Sequence, residues 1–177
     1  MPYAVELFLD DRATVQIRQI WAALDEAGIT SLGSIPETDY HPHVSLSVFE
    51  HESPDKVAEA LRPVLATCVG LPLPLAALGF FLTAEAVAFL GVAPSAGLIA
   101  LHHQVYQAVD ASAGDVWPYY RPGALVPHCT LGVGVADRAR VIEVVERFAM
   151  PIHARATGAH LVQVPGGQRR TALTPTS

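Results

Sequence analysis

The chain has 177 residues, 51% of them hydrophobic and 16% charged, which suits one compact domain and excludes a disordered chain. Eleven basic against seventeen acidic side chains give a net charge of −6, the opposite of the balance that grips long nucleic acid by its phosphates. Two cysteines, Cys68 and Cys129, make no disulfide framework, so a reducing compartment, the cytoplasm, is expected.

The N-terminus has no basic region leading into an apolar stretch, so no signal peptide is read there. Tyr3 to Leu9 is rich in strand-forming residues. Asp10 or Asp11 then caps a helix striped by Ile17, Ile20, Trp21 and Leu24, with Gly28 as its stop. A loop holding Gly33 and Pro36 leads to the apolar run His43 to Phe49, read as a strand. Ser53-Pro54 opens a second helix with Val57, Leu61, Val64 and Leu65 on one face, and Pro63 is expected to kink or divide it. The uncharged stretch from Pro63 to Ala84 is long enough to span a bilayer, but Gly70, Pro72 and Pro74 interrupt it. It reads as a buried turn followed by a strand, Leu73 to Leu82, and no membrane partner is expected.

The same order then recurs. Ala86 to Val92 reads as a strand, and Pro94-Ser95 precedes a helix striped by Leu98, Leu101, Val105 and Val109. A loop rich in aromatics and prolines, Trp117 to Pro122, leads to the strand His128 to Val135. Asp137 caps a helix with Val141, Val144, Val145 and Phe148 at helical spacing. Two short strands near His153 to Val164 and Thr171 to Leu173 follow, around a turn at Gly166-Gly167, and the tail after Thr174 is expected to fray.

Strand-helix-strand-helix-strand therefore occurs twice, in halves of about 1–82 and 83–177, and the second strands carry a matching signature. Pro42-His43-Val44-Ser45-Leu46-Ser47-Val48 aligns with Pro127-His128-Cys129-Thr130-Leu131-Gly132-Val133, identical at four of seven positions and offset by 85 residues. A duplicated unit tends to pack about a pseudo-twofold axis, which would bring the two signatures together. Side chains alternate across a strand, so His43 and Ser45 share one face, as do His128 and Thr130. Two imidazoles and two hydroxyls around one cleft match the needs of phosphodiester cleavage. One histidine serves as base and one as acid near neutral pH, and the hydroxyls bind the non-bridging oxygens. No cofactor is needed, and neither signature has the ligand spacing of a zinc site.

These paired signatures resemble the two-histidine phosphoesterase superfamily and its 2′-5′ RNA ligase-like (LigT-like) members. The likeness takes in the strand-helix start, the segment VPHCTLGVGV and the closing Gly-Gly hairpin. The resemblance implies an α+β fold of two lobes with a central cleft: two antiparallel sheets with outer helices, in one domain over 1–177. It also implies a metal-independent phosphodiesterase acting on 2′,3′-cyclic phosphates or 2′-5′ linkages of RNA ends or small nucleotides. By matching position, His43 and His128 would be the catalytic pair and Ser45 and Thr130 the phosphate binders. Two alternatives stand beside hydrolysis: a nucleotide-binding module without turnover, and a reversible 2′-5′ RNA ligase. A monomer is expected.

Among the remaining residues, Tyr120 and Arg121, just before the second signature, are candidates to stack a base and pair a phosphate. His41 either shares the cleft face or leads into its strand. His102 packs on its helix stripe, and His51, His153 and His160 have no constellation around them. Arg155, Arg169 and Arg170, near or on the final strands, either reach the cleft mouth or form a solvated face, the latter preferred, and Cys129 reads as a buried small apolar residue.

Overall fold

The computed structural model of the chain describes residues 1–113 and 115–175, so Thr176 and Ser177 of the tail expected to fray lie outside the described residues. The elements run in the order read from the sequence: β1 (Pro2–Leu9), α1 (Asp11–Glu26), β2 (His43–Glu50), α2 (Pro54–Leu65) and β3 (Pro72–Phe80), then β4 (Ala88–Val92), α3 (Ala96–Ser112), β5 (His128–Gly132), α4 (Arg138–Val145), β6 (Ile152–Gln163) and β7 (Arg170–Ala172). Among the described residues, no helix is long and apolar enough to cross a membrane.

Local chemistry sets the helix ends. Asp10 accepts a hydrogen bond from Ala13 N at 3.1 Å, Ser95 from Leu98 N at 3.1 Å and Asp137 from Arg140 N at 2.9 Å. Each satisfies one of the free N–H groups of a first turn. Along α1, Ile17, Ile20, Trp21 and Leu24 are all buried, as their spacing predicts. Burying one such side chain stabilises the fold by about 1.5–3 kcal/mol, as an upper estimate.

One expectation needs correction. Pro63 does not divide α2, which continues to Leu65. The proline sits in the last turn, so the missing N–H costs one hydrogen bond near an end that frays in any case. The strand read near His153 to Val164 runs Ile152–Gln163, and it serves both ends of the sheet.

Strand order explains that length. The hydrogen-bonded path is β2-β1-β6-β3-β4-β5, every pairing is antiparallel, and β7 adds to β6. The class is α+β, and the two three-stranded groups are continuous through the β3–β6 pairing. The far half of β6 pairs with β1 and its near half with β3. Replacing each strand by its counterpart in the other half returns the same order read backwards. The third strand of each half therefore lies beside the first strand of the other.

The register repeats as well. On β1–β2 the ladder shifts between Val5 and Glu6, opposite Ser47 and Ser45. On β4–β5 it shifts between Ala88 and Phe89, opposite Gly132 and Thr130. Both bulges fall at the same place in the signature, skipping the buried Leu46 and Leu131. Bulges of this kind bend a strand and re-aim its side chains. The sheet curls enough that β2 and β5, at opposite ends of the path, approach each other.

Candidate active site

Three contacts tie β5 to the first half of the chain. The Trp21 indole N–H on α1 donates to Thr130 O at 3.2 Å. Ser31, fully buried after α1, bridges to Gly132. The Cys129 thiol meets the backbone of His43, and burial pushes that thiol up to about 12, which leaves it an inert packing group. Gly33 lies flat against the Trp21 ring, where an added Cβ would meet a ring carbon at 2.4 Å.

The two signature histidines are held in the same way. His43 Nδ1 lies 2.6 Å from His41 O, and His128 Nδ1 lies 2.7 Å from Val126 O. A carbonyl only accepts, so each Nδ1 carries the proton, and in the neutral ring Nε2 is the free base. The partner carbonyl is two residues upstream in both halves. Burial pulls the His128 pKa down first, the Val126 carbonyl opposes it, and the nearby His43 imidazole lowers it further.

A cavity of about 290 Å³ opens beside the second signature, lined by His128 and Thr130 with Phe81, Trp117, Tyr120 and Glu85 among others. His43 and Ser45 do not line it, and each is 9% exposed. Tyr120 links the two sides, since it lines the cavity while its side chain contacts the Ser45 hydroxyl. Burial, then the Glu6 carboxylate, push its phenol up to about 12, against the Ser45 contact. The loop carrying Tyr120 is tied down by His102, whose Nε2 donates to Tyr120 O at 2.8 Å. His102 thus packs on its helix stripe, as read from sequence, and also positions the loop. Arg121 is exposed and outside the cavity lining.

The first half is chemically different. Glu6 pairs with Ser45 across β1–β2, so both share a face, and the Glu6 side chain is 3% exposed. Its Oε1 lies 3.4 Å from His43 Nε2. Burial raises the Glu6 pKa, and His43 and Arg170 lower it in part. Next along that face, Phe8 is stacked against His41 at 4.5 Å and His160 at 4.0 Å, with the Arg170 guanidinium 5.7 Å from its centroid. Arg170 is held by Asp39 Oδ2 at 2.6 Å and donates to Gly167 O at 2.7 Å.

This corrects the reading of Arg170 as a solvated residue and of His160 as a residue without a constellation. Arg155 lies away from the site, bonding Gly70 O at 2.9 Å, and Arg169 is exposed. Glu6 was missed because an acidic residue inside a strand looks like any solvent-facing position. Its register opposite Ser45 identifies it, and that register needs the fold.

At the matching places of the second half, Phe89 stands opposite Thr130 where Glu6 stands opposite Ser45, and Gly91 opposite His128 where Phe8 stands opposite His43. Phe89 and Phe81 enclose His128 at centroid distances of 5.1 and 4.9 Å. Strand order and register repeat between the halves, and the chemistry does not. Among the described residues, no three His, Cys, Asp or Glu are grouped as a metal ion would require.

Comparison with known proteins bears on this geometry. The family model described as the 2′-5′ RNA ligase superfamily matches residues 9–168. A phosphoesterase crystal structure superposes with a TM-score of 0.60 at 21% identity, over 98% of each chain. E. coli LigT in its apo form gives 0.62 at 21% identity, over 97% of this chain and 93% of that one. The same protein complexed with 3′-AMP gives 0.57 at 19% identity, over 96% and 92%. At these identities the structural likeness concerns the fold. No curated protein sequence matches the chain significantly.

Proposed function

We propose that this chain, which belongs to the 2′-5′ RNA ligase superfamily of two-histidine phosphoesterases, hydrolyses a 2′,3′-cyclic phosphate or a 2′-5′ phosphodiester of a small nucleotide or an RNA end. His43 and His128 alternate as acid and base, without a metal ion, in one two-lobed unit made by both halves of the chain. One observation carries the reading: both signature imidazoles have Nδ1 tied to a carbonyl, which keeps each Nε2 for side-chain or substrate partners, on strands β2 and β5 that approach each other.

In the reaction one Nε2 takes a proton from water as the water oxygen bonds to phosphorus. The bond from phosphorus to a ribose oxygen breaks on the opposite side, and that oxygen takes the proton from the other Nε2. Ser45 and Thr130 donate to the non-bridging oxygens, whose charge grows in the transition state. Tyr120 adds a third donor, since its raised pKa keeps the phenol protonated. The aromatic wall of the cavity beside His128 suits a nucleobase. The 3′-AMP complex of the E. coli relative supports a nucleotide-sized ligand. The two free, buried cysteines fit a reducing cytoplasm.

The test is release of 2′- and 3′-nucleotides from the four nucleoside 2′,3′-cyclic monophosphates, with His43→Ala and His128→Ala alongside and a chelator present. Turnover that survives the chelator and is lost in both variants supports the mechanism. Abolition by the chelator ends the metal-free reading, and nucleotide affinity without product would favour a binding module.

A further inference from the structure

We infer that Glu6 is a positioning residue of this site: its buried carboxylate holds the proton on His43, so that His43 serves as the acid toward the leaving oxygen and His128 as the base toward water. The inference rests on the two-histidine reading above and adds to it a residue and an assignment of roles that the repeated signatures, being alike, leave open.

The geometry breaks the symmetry at one atom. With His43 Nδ1 spent on the His41 carbonyl, Nε2 is its remaining nitrogen, and Glu6 Oε1 lies 3.4 Å from it. At the matching register in the other half the residue is Phe89. A positive charge on His43 therefore faces a carboxylate, and one on His128 faces two phenyl rings. Opposite charge stabilises the protonated ring, while apolar enclosure disfavours it. The direction seen at His128, pulled down chiefly by burial, fits a ring that arrives unprotonated and ready to accept.

Other charged and titratable groups surround His43, and none of them competes for the role. Tyr40 stacks on it at 6.5 Å from the preceding loop. His41, whose pKa is pulled down to about 4 by burial and then by Arg18, Arg170, His43 and His160, is neutral near pH 7. Tyr120 and Cys129 are both pushed up to about 12 and stay uncharged. Arg170 on β7 and His160 on β6 lie around Phe8; Arg170 works with His43 against the burial that favours a neutral Glu6. A contact of 3.4 Å is also longer than a charge-assisted hydrogen bond. The Nε2 proton is therefore not locked in a strong hydrogen bond and stays available to a ribose oxygen.

Protons balance over the step. His128 gains the one that water loses as the new bond to phosphorus forms, and His43 gives its own to the departing oxygen. Exchange with solvent then resets both rings.

The experiment is the pH–rate profile of Glu6→Gln beside the parent on the best cyclic phosphate. The alkaline limb, which reports loss of the acid's proton, should move about one pH unit lower. The acidic limb should stay in place. Movement of the acidic limb overturns the assignment of roles, and two unmoved limbs overturn the part given to Glu6. Should Glu6→Gln be too slow to profile, following the imidazole C–H signals by NMR keeps the question open to refutation. The His43 ring must lose its proton at lower pH in the variant than in the parent, with His128 unchanged. That arm needs no turnover, so a parent with no activity would defeat the hydrolytic reading and leave the Glu6–His43 coupling separately measured.

Discussion

Lowering the pH should loosen this protein through His41, and the size of the effect can be worked from its surroundings. The ring lies against Phe8 and beside Arg18, whose Nη2 is 3.5 Å from its Nδ1. Burial first, then Arg18, Arg170, His43 and His160, bring its pKa from 6.5 to about 4. The unfolded chain takes up a proton near pH 6.5 and the folded one does not until about pH 4, so stability falls as pH drops through that window. At pH 7 and above the site contributes no penalty. For a fully shielded ring the linkage would amount to about 2.5 kcal/mol at about pH 4.5. Because the ring is partly open to solvent, screening reduces this to roughly half, about 1–1.5 kcal/mol. Urea unfolding of the parent and of His41→Asn at about pH 7.5 and about pH 4.5 measures it. The variant loses the stack on Phe8 at both pH values, so only the change between them counts. Burial of Glu6 raises its pKa and so acts in the opposite sense as pH rises, but it is common to both proteins. The parent should lose about 1–1.5 kcal/mol more than the variant on acidification. Equal losses would refute the reasoning.

Two further outcomes follow from the same surroundings. Tyr120→Phe should lower kcat/KM about tenfold, the worth of one hydrogen bond to a developing charge, without moving either limb of the pH–rate profile, because a phenol near 12 does not titrate in the working range. A shifted alkaline limb would show that the phenol itself titrates. Gly79→Ala would place a Cβ 2.4 Å from the Phe89 ring, which packs on His128, so it should cost about 1–3 kcal/mol in urea unfolding and lower kcat beyond that loss. Unchanged turnover would mean that Phe89 can swing away without disturbing the imidazole.

Much of this architecture could be read from residue patterns alone. Helix stripes, capping aspartates and the repeated Pro-His signature are local signals, and a periodic stripe such as Ile17, Ile20, Trp21 and Leu24 leaves few other readings. What escaped were the features created by pairing. Glu6 gains its meaning from lying opposite Ser45, and Arg170 from reaching Phe8 across β6, relations fixed by register between segments far apart in the chain. His160 escaped for the same reason, because its stack on Phe8 depends on β6 running beside β1. The span of β6 was legible, but its service to two partners was not, because such a strand carries no special composition. Pro63 was overweighted, since its effect depends on how near the helix end it falls.

The interlaced strand order also bears on synthesis. The inner edge of β1 is completed by β6, with Tyr3 opposite Gln163, and β3 has no partner in its own half of the chain. A ribosome that has made only the first half therefore presents a β1–β2 pair with one bare edge and a β3 segment with nothing to pair with. Bare edges recruit other chains. Until the last strands emerge, the nascent protein is exposed to edge-to-edge pairing with its neighbours, and a premature stop before β6 should leave a product prone to aggregate.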